Sequence, residues 1–222
     1  TPIWTEKPET AAKLRQRLEA ILTFATVSGH RTGENPARWK GNLKEALPRR
    51  PRSVRAESWP AIAQADAARW FAAVGERQGM AAKALVFLAL TVARSGEVRG
   101  ATWDEIDLAR GVWTIPAARM LKRGVEHRVP LPARALELVK ALPRFEGSPY
   151  VFTSPRGKAF SDAALGKVMR TTHEAQAARD GRGFVDARSG KPAVPHGLRS
   201  TFRDWASEHG YDRELSELAL AH

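Results

Sequence analysis

The 222-residue sequence predicts an α+β chain that is mainly α, a helical bundle carrying a small three-stranded antiparallel sheet. Three observations lead there. Apolar residues recur at helical spacing through most of the chain. Strand-like alternation is confined to residues 103–131. Hydrophobic residues make up 43% and charged residues 27% of the sequence, enough to bury a core and unlike a disordered chain.

Leu14, Leu18, Ile21, Leu22 and Ala25 recur at helical spacing. Pro8 and Glu9 suit a first turn and Gly29 suits a stop, so residues 8–28 read as one amphipathic helix. One such helix cannot make a domain, and residues 1–46 read as the end of a helical module. The Pro/Arg-rich stretch LPRRPRSVRAESWP at 47–60 reads as a basic linker, and a second domain spans 61–222. Residues 65–77 and 81–93 read as helices, the second apolar nearly all round and therefore central. Trp103–Leu108, the turn Ala109-Arg110-Gly111 and Val112–Ile115 form a hairpin pattern, and His127–Leu131 makes a third strand ended by Pro132. A helix over 133–141 follows, then the loop YVFTSPRGKAFS, a helix over 162–178, a Gly/Arg-rich connection over 180–195, and helices near 196–209 and 212–221. No internal repeat is present. Trp70, Trp103, Trp113 and Trp205 fall at apolar-periodic positions and are expected in the core. Trp39 and Trp59 flank the linker, where packing and base stacking are both open to them.

Lys plus Arg number 36 against 24 Asp plus Glu, a formal charge of +12. The excess is front-loaded, with twelve basic and five acidic residues in 1–55. A polyanion is the expected partner, nucleic acid first and an anionic membrane surface second. The longest apolar run, Ala81–Ala93, is interrupted by Lys83 and is shorter than the roughly 20 residues that span a bilayer. The absence of cysteine excludes a disulfide framework, Cys-ligated zinc and cysteine catalysis, and fits a reducing compartment. The opening TPIWTEKPET has no signal-peptide core. A metal-dependent nuclease would need clustered carboxylates or histidines. The nearest set, Asp104, Glu105 and Asp107, sits on an expected strand that points Asp104 and Glu105 to opposite faces.

Four segments can carry chemistry. In VPHGLRSTFRDW (194–205), Leu198, Phe202, Trp205 and Ala206 form an apolar stripe, and His196, Arg199 and Arg203 share another face. The cations are therefore expected to face away from the core. His196 and Arg199 lie in a first turn after Pro195, where unpaired N–H groups and the helix dipole receive an anion. A solvated basic face fits the same spacing. In LTVARSGEVR (90–99), Arg94 ends a nearly all-apolar helix and Ser95 can cap the next, with Glu97 in its first turn. Arg94 is expected to be partly buried and to need an anion, which is either Glu97, as a scaffold ion pair, or a ligand. Lys122 lies on a hairpin-like tip, where it is either solvated or able to swing into a cleft and donate a proton. His222, at the end of LALAH, is by itself uninformative.

In combination these segments resemble the catalytic domain of the tyrosine recombinases, the phage-integrase family. TVARSGEVRGATWDEID, then Lys122 in a β-turn, then VPHGLRSTFRDWA, then LALAH follow that family's order of Arg, hairpin Lys, His-x-x-Arg and second His. The ENPARW stretch at 34–39 and the KPETA opening are also similar to prophage and genomic-island integrases. Type IB topoisomerases use a similar pocket, but ARSGEVRG and HGLR look more like integrases. The resemblance implies the tyrosine-recombinase catalytic fold and a core-binding, DNA-binding domain ending in residues 1–46. It implies Arg94 and Arg199 on a DNA phosphate, Lys122 as general acid, and His196 and His222 assisting proton transfer or orienting the phosphate, with no metal or cofactor. Double-stranded attachment-site DNA is the implied partner, a homotetramer on DNA the implied assembly, with a fragment able to stay monomeric, and the bacterial cytoplasm, on the nucleoid, the implied location. The family's nucleophilic tyrosine should follow the second His by about nine or ten residues. Tyr150 and Tyr211 both precede His222, so the chain is expected to be truncated before the nucleophile helix, to bind DNA and not to form the phosphotyrosyl link. A non-catalytic DNA-binding module derived from an integrase is the alternative reading.

Overall fold

The computed structural model describes residues 2–48, 58–120 and 124–221. Residues 49–57 of the expected linker, Lys122 and His222 lie outside them. The chain divides into two compact units, 1–57 and 58–222.

The first unit holds α1 (Pro2–Glu6), α2 (Pro8–Val27), a kinked turn at Trp39–Leu43 and the single turn α3 (Lys44–Ala46). Its centre is aromatic. Trp4 is buried, its ring 5.6 Å from that of Trp39, and its indole N–H donates to the Pro48 carbonyl at 3.0 Å. Arg15 lies over Trp39 and donates to the Ala37 carbonyl, while the Asn35 amide donates to the Glu19 carbonyl at 2.8 Å. These bonds hold residues 35–48 against the α2 face that carries Ala11 and Ala12, both buried. The Leu14, Leu18, Ile21 stripe, expected to mark the buried face of an amphipathic helix, is instead exposed, because the returning segment covers the other side. Trp39 is accounted for by this packing.

The second unit is built around α5 (Met80–Thr91), whose Ala84, Leu85 and Phe87 are fully buried. Around it pack α4 (Gln64–Gly75), α7 (Ala133–Lys140) and α8 (Ala163–Asp180), with α6 (Ser95–Arg99), α9 (Gly197–Glu208) and α10 (Arg213–Ala219) completing the bundle. Strands β1 (Ile106–Asp107), β2 (Val112–Ile115) and β3 (His127–Pro130) form one antiparallel sheet in the order β1-β2-β3. Trp113 pairs with Ile106 on one side and Val129 on the other, and its ring packs 5.4 Å from Phe87. The short sheet thereby packs against the largely apolar central helix.

The first strand is shorter than the expected Trp103–Leu108. Residues Trp103–Glu105 form a 3₁₀ turn instead, because Glu105 reaches back to the Thr102 N–H and turns inward. Buried Glu105 accepts the Trp113 indole N–H at 3.0 Å and pairs with Arg119, which also donates to the Glu97 carbonyl. Asp107 accepts the Ala109 and Arg110 N–H groups of the hairpin turn. These two carboxylates therefore brace the sheet and its junction with α6. Among the described residues no three His, Asp or Glu are grouped to hold a metal ion, and no helix is long and apolar enough to cross a membrane. The 150–161 stretch is more ordered than a plain loop, bridging Thr102 to Tyr150 and Thr153 to Ala159 with Val151 and Phe152 fully buried.

Trp70 and Trp113 are core residues as expected. Trp103 is half-buried beneath the Arg144 guanidinium. Trp205 departs from expectation: it is 38% exposed and stacks with Phe202, His209 and Tyr211 on the surface of α9. Leu198 and Ala206 alone carry the fully buried part of that stripe.

Candidate functional site

The site forms where α5 ends. The apolar run of α5 stops at Thr91 because Val92 takes the left-handed conformation, φ 48°, which a β-branched residue adopts only under constraint. Val92 and Ala221 (φ 52°) are the two non-glycine residues with positive φ among the described residues, and both belong to this site. Their carbonyls are turned to the two arginines. Arg199 donates through Nη1 to the Val92 carbonyl and through Nη2 to the Leu220 carbonyl. Arg94 donates through Nη2 to the Ala221 carbonyl at 3.0 Å.

Arg94 precedes α6 as its N-cap, a role the sequence suggested for Ser95, which is instead the first helical residue. Glu97 accepts both the Arg94 backbone N–H at 2.7 Å and its Nη1 at 2.8 Å. Arg94 is partly buried, with 22% of its side chain exposed, and the Glu97 partnership foreseen as one of two readings is present. It commits two of the five guanidinium N–H donors. The scaffold role and a ligand role are therefore compatible in one side chain.

Arg199 is 5% exposed. The expectation that the cations of α9 face away from the core fails here, because the α5–α6 corner and the chain after α10 close over the start of α9. Arg203, one turn on, is exposed as expected. Burial, reinforced by the Arg94 charge and opposed by Glu97 and Glu217, lowers the Arg199 pKa to about 10. The group remains cationic at neutral pH and gains from any added anion.

His196 is the exposed N-cap of α9. The first-turn N–H groups are not open to an anion as the sequence suggested. Those of Gly197, Leu198 and Arg199 bond to the carbonyls of Val194, Pro195 and His196 in a 3₁₀ pattern. Any attraction for phosphate here comes from side chains. The His196 ring lies 5.5 Å from that of Trp59, a partner the sequence left unplaced. Gly197 is also more specific than it looked: a Cβ there would fall 1.9 Å from the Pro60 carbonyl oxygen.

Of the residues singled out in sequence, Arg94 and Arg199 meet at consecutive carbonyls, Ala221 and Leu220, and His196 stands three residues before Arg199. Lys122 and His222 lie outside the described residues. Tyr150 pairs with Thr102 beside the sheet, and Tyr211 is exposed against Trp205.

In sequence and fold the chain is similar to known proteins. Residues 58–222 match the model of the phage integrase family, and residues 1–42 that of the phage integrase central domain. Prophage integrase IntA of Escherichia coli (strain K12) is 35% identical over 140 residues, covering 60% of this chain and 29% of the relative. Prophage integrase IntZ of the same organism is 31% identical over 97% of this chain and 48% of its own length. The chain thus spans about half, or less, of these relatives. In fold it is similar to a lambda integrase (residues 75–356) dimer bound to a COC′ core site, with a TM-score of 0.62 at 21% identity, covering 97% of this chain and 72% of that one. It is likewise similar to the Tn1549 transposon integrase in complex with a circular intermediate DNA, with a TM-score of 0.66 at 14% identity over 96% of this chain and 71% of that one. With a family match across the whole second unit, where the paired arginines lie, the chain belongs to the phage integrase family, the tyrosine recombinases.

Proposed function

We propose that this chain is the DNA-handling part of a site-specific recombinase that cleaves and rejoins duplex DNA through a 3′-phosphotyrosyl intermediate. The observation that carries the reading is the convergence of Arg94 and Arg199 on the carbonyls of residues 221 and 220. Two guanidiniums held at one place suit a single phosphodiester, whose nonbridging oxygens gain negative charge as the nucleophile attacks. Preorganisation is supplied by Glu97 for Arg94 and by the Val92 and Leu220 carbonyls for Arg199.

In this reading Lys122 protonates the departing 5′ oxygen, and His196 and His222 orient the phosphate or move protons. In this reading the attacking tyrosine is neither Tyr150 nor Tyr211, because both precede His222, whereas the family's nucleophile follows the second His. These residues alone are then expected to bind DNA without forming the covalent link. Residues 1–46 belong to a core-binding domain, 47–60 to a basic linker and 61–222 to the catalytic domain, an assignment supported by the separate family matches at 1–42 and 58–222. The charge of +12 supports a DNA partner. Matched integrase structures carry DNA as dimers and tetramers, and the proposed working assembly here is a tetramer on attachment-site DNA, in the bacterial cytoplasm.

The test is fluorescence anisotropy of a labelled duplex, selected from a random pool by this chain, across a salt series. Binding that weakens linearly in log K against log salt, with a slope reduced by about 1 in Arg94→Ala and in Arg199→Ala, supports the phosphate pocket. A slope unchanged in both variants overturns it. Recovery of a covalent protein–DNA adduct from the 222-residue chain itself would overturn the assignment of the nucleophile.

A further inference from the structure

We infer that Arg119 is a positioning residue for Arg94 and acts through Glu97, which it holds by the backbone. The inference rests on the phosphate reading of the arginine site and adds to it a residue from the edge of the sheet. Glu97 is bonded at both ends. Its carboxylate accepts the Arg94 N–H at 2.7 Å and Arg94 Nη1 at 2.8 Å, and its carbonyl accepts from Nη2 of Arg119. That carbonyl is open to a side chain because α6 ends early. The Ala101 N–H, which would reach it in a longer helix, bonds to the Val98 carbonyl at 3.2 Å. A five-residue helix has little stability of its own, so its orientation has to come from bonds to its surroundings.

Arg119 is placed to supply one. Its Nη1 pairs with the buried Glu105 carboxylate, which also accepts the Trp113 indole N–H of β2 at 3.0 Å. The planar guanidinium fork reaches both acceptors at once, whereas a lysine ammonium is a point charge that would satisfy the carboxylate and leave the carbonyl. The backbone around Arg119 is fixed on either side. Its N–H donates to the Pro116 carbonyl at 2.9 Å, and the next residue, Met120, is buried and accepts the Gly124 N–H at 2.8 Å. Gly100 makes the room: a Cβ there would fall 2.9 Å from Arg119 Nη2. Its φ of −102° and ψ of 8° are open to alanine, so the bare Cα serves space here and not backbone freedom. The sheet thus holds Arg119, Arg119 holds Glu97, and Glu97 holds Arg94.

The experiment labels the arginines with ¹⁵N in the 222-residue chain and follows their side-chain Nε–H resonances by NMR, with inorganic phosphate as the probe. Two variants disturb the contact from opposite sides. Arg119→Lys keeps a charge for Glu105 and removes the fork, while Gly100→Ala keeps Arg119 and crowds its guanidinium off the Glu97 carbonyl. Arg94→Lys assigns the Arg94 signal. Arg77, bonded to the Thr171 carbonyl where α4 meets α8, serves as the internal control and is assigned with Arg77→Lys. The Arg94 signal is expected to shift or broaden in both variants with the Arg77 signal unmoved, and the apparent phosphate affinity to fall several-fold in both.

An Arg94 signal that stays in place in Gly100→Ala overturns the proposal, and this variant decides alone if Arg119→Lys does not fold. Displacement of the Arg77 signal together with that of Arg94 also overturns it, because Arg119 would then support the packing of the whole domain and not one side chain. If the Arg94 signal alone responds in the variants but phosphate moves it in none of the proteins, the positioning stands and the phosphate reading of the site is what has failed.

Discussion

Arg199 donates to the backbone carbonyl of Val92, two residues before Arg94, so one arginine of the site holds in place the turn that delivers the other. The turn is strained, since Val92 carries φ 48° on a β-branched residue. Strain of this kind persists where surrounding bonds over-determine the backbone. Here they are the Arg199 donation behind the turn and the Glu97 carboxylate on the Arg94 N–H ahead of it.

The strain predicts an inverted ranking of substitutions at position 92. In ordinary backbone, Gly is less stable than Ala by about 0.5–1 kcal/mol. In the left-handed region an L side chain costs about 1–2 kcal/mol that glycine does not incur. Val92→Ala and Val92→Gly lose similar apolar contact, so Val92→Gly should be the more stable of the two by about 1 kcal/mol in urea denaturation. The ordinary order, with Ala ahead, would mean that residue 92 is relaxed.

Anions should stabilise the fold through Arg199. Burial, with the neighbouring Arg94 charge, lowers its pKa to about 10, so the folded chain holds this proton less tightly than the unfolded chain. Stability from this group therefore rises only as pH climbs from about 10 toward the unfolded value, and at neutral pH the buried charge is a net cost. A phosphate oxygen offsets that cost. Sodium phosphate should raise the thermal midpoint above sodium chloride of equal ionic strength, by the equivalent of about 1.4 kcal/mol at tenfold the dissociation constant. Arg199→Gln should abolish the difference while lowering the starting stability, because buried carbonyls of Val92 and Leu220 lose a charged donor. Equal midpoints in the two salts for the parent chain would remove the anion site.

Gly197 and Gly166 look alike in sequence, each inside a helix, and should respond in opposite directions to alanine. A Cβ on Gly197 would meet the Pro60 carbonyl at 1.9 Å, and that backbone is held by the Val194 N–H. Gly197→Ala should cost about 2–3 kcal/mol, at the upper end of overpacking. Nothing lies within 4 Å of a Cβ on Gly166 in α8. Gly166→Ala should stabilise by about 0.5–1 kcal/mol through helix propensity. Chemical denaturation of both variants against the parent measures the two signs together.

What could be read from the sequence followed from whether local periodicity carried the information. The central helix was legible because Ala84, Leu85, Phe87 and Leu88 leave no polar face, and the sheet because Trp113 and Ile115 alternate between turn signals. Arg94 was recognisable as an arginine ending an apolar helix. The burial of Arg199 was not legible from its helical face, since that face is covered by residues 220–221, distant in sequence. The same holds for the exposed Leu14 and Ile21, where residues 35–48 chose the opposite side of α2 through Asn35 and Arg15. Trp59 sat beside a basic linker in sequence, and its place near His196 depends on bonds between residues 60–62 and Asp186, Val194 and Thr201 that no local pattern announces.

Asp186 gives that set of bonds a pH dependence. Burial by itself pushes the carboxyl pKa up, but donations from the Ala61 N–H, from the Ser189 N–H and hydroxyl, and from the Arg188 N–H outweigh it and hold the value below the ordinary one. A depressed carboxyl pKa contributes stability that is fully present above the unfolded value of about 3.9 and is lost as pH falls through the lower folded value. Asp186→Asn replaces one acceptor oxygen by a donor among N–H groups and should cost about 2 kcal/mol at pH 7. Its stability should then fall less steeply than that of the parent below about pH 4, so that the two curves converge in acid. Urea denaturation at neutral pH and at several acidic pH values reads the gap directly. A gap that stays constant down to the acid limit would show that Asp186 holds Ala61 without any contribution from its charge.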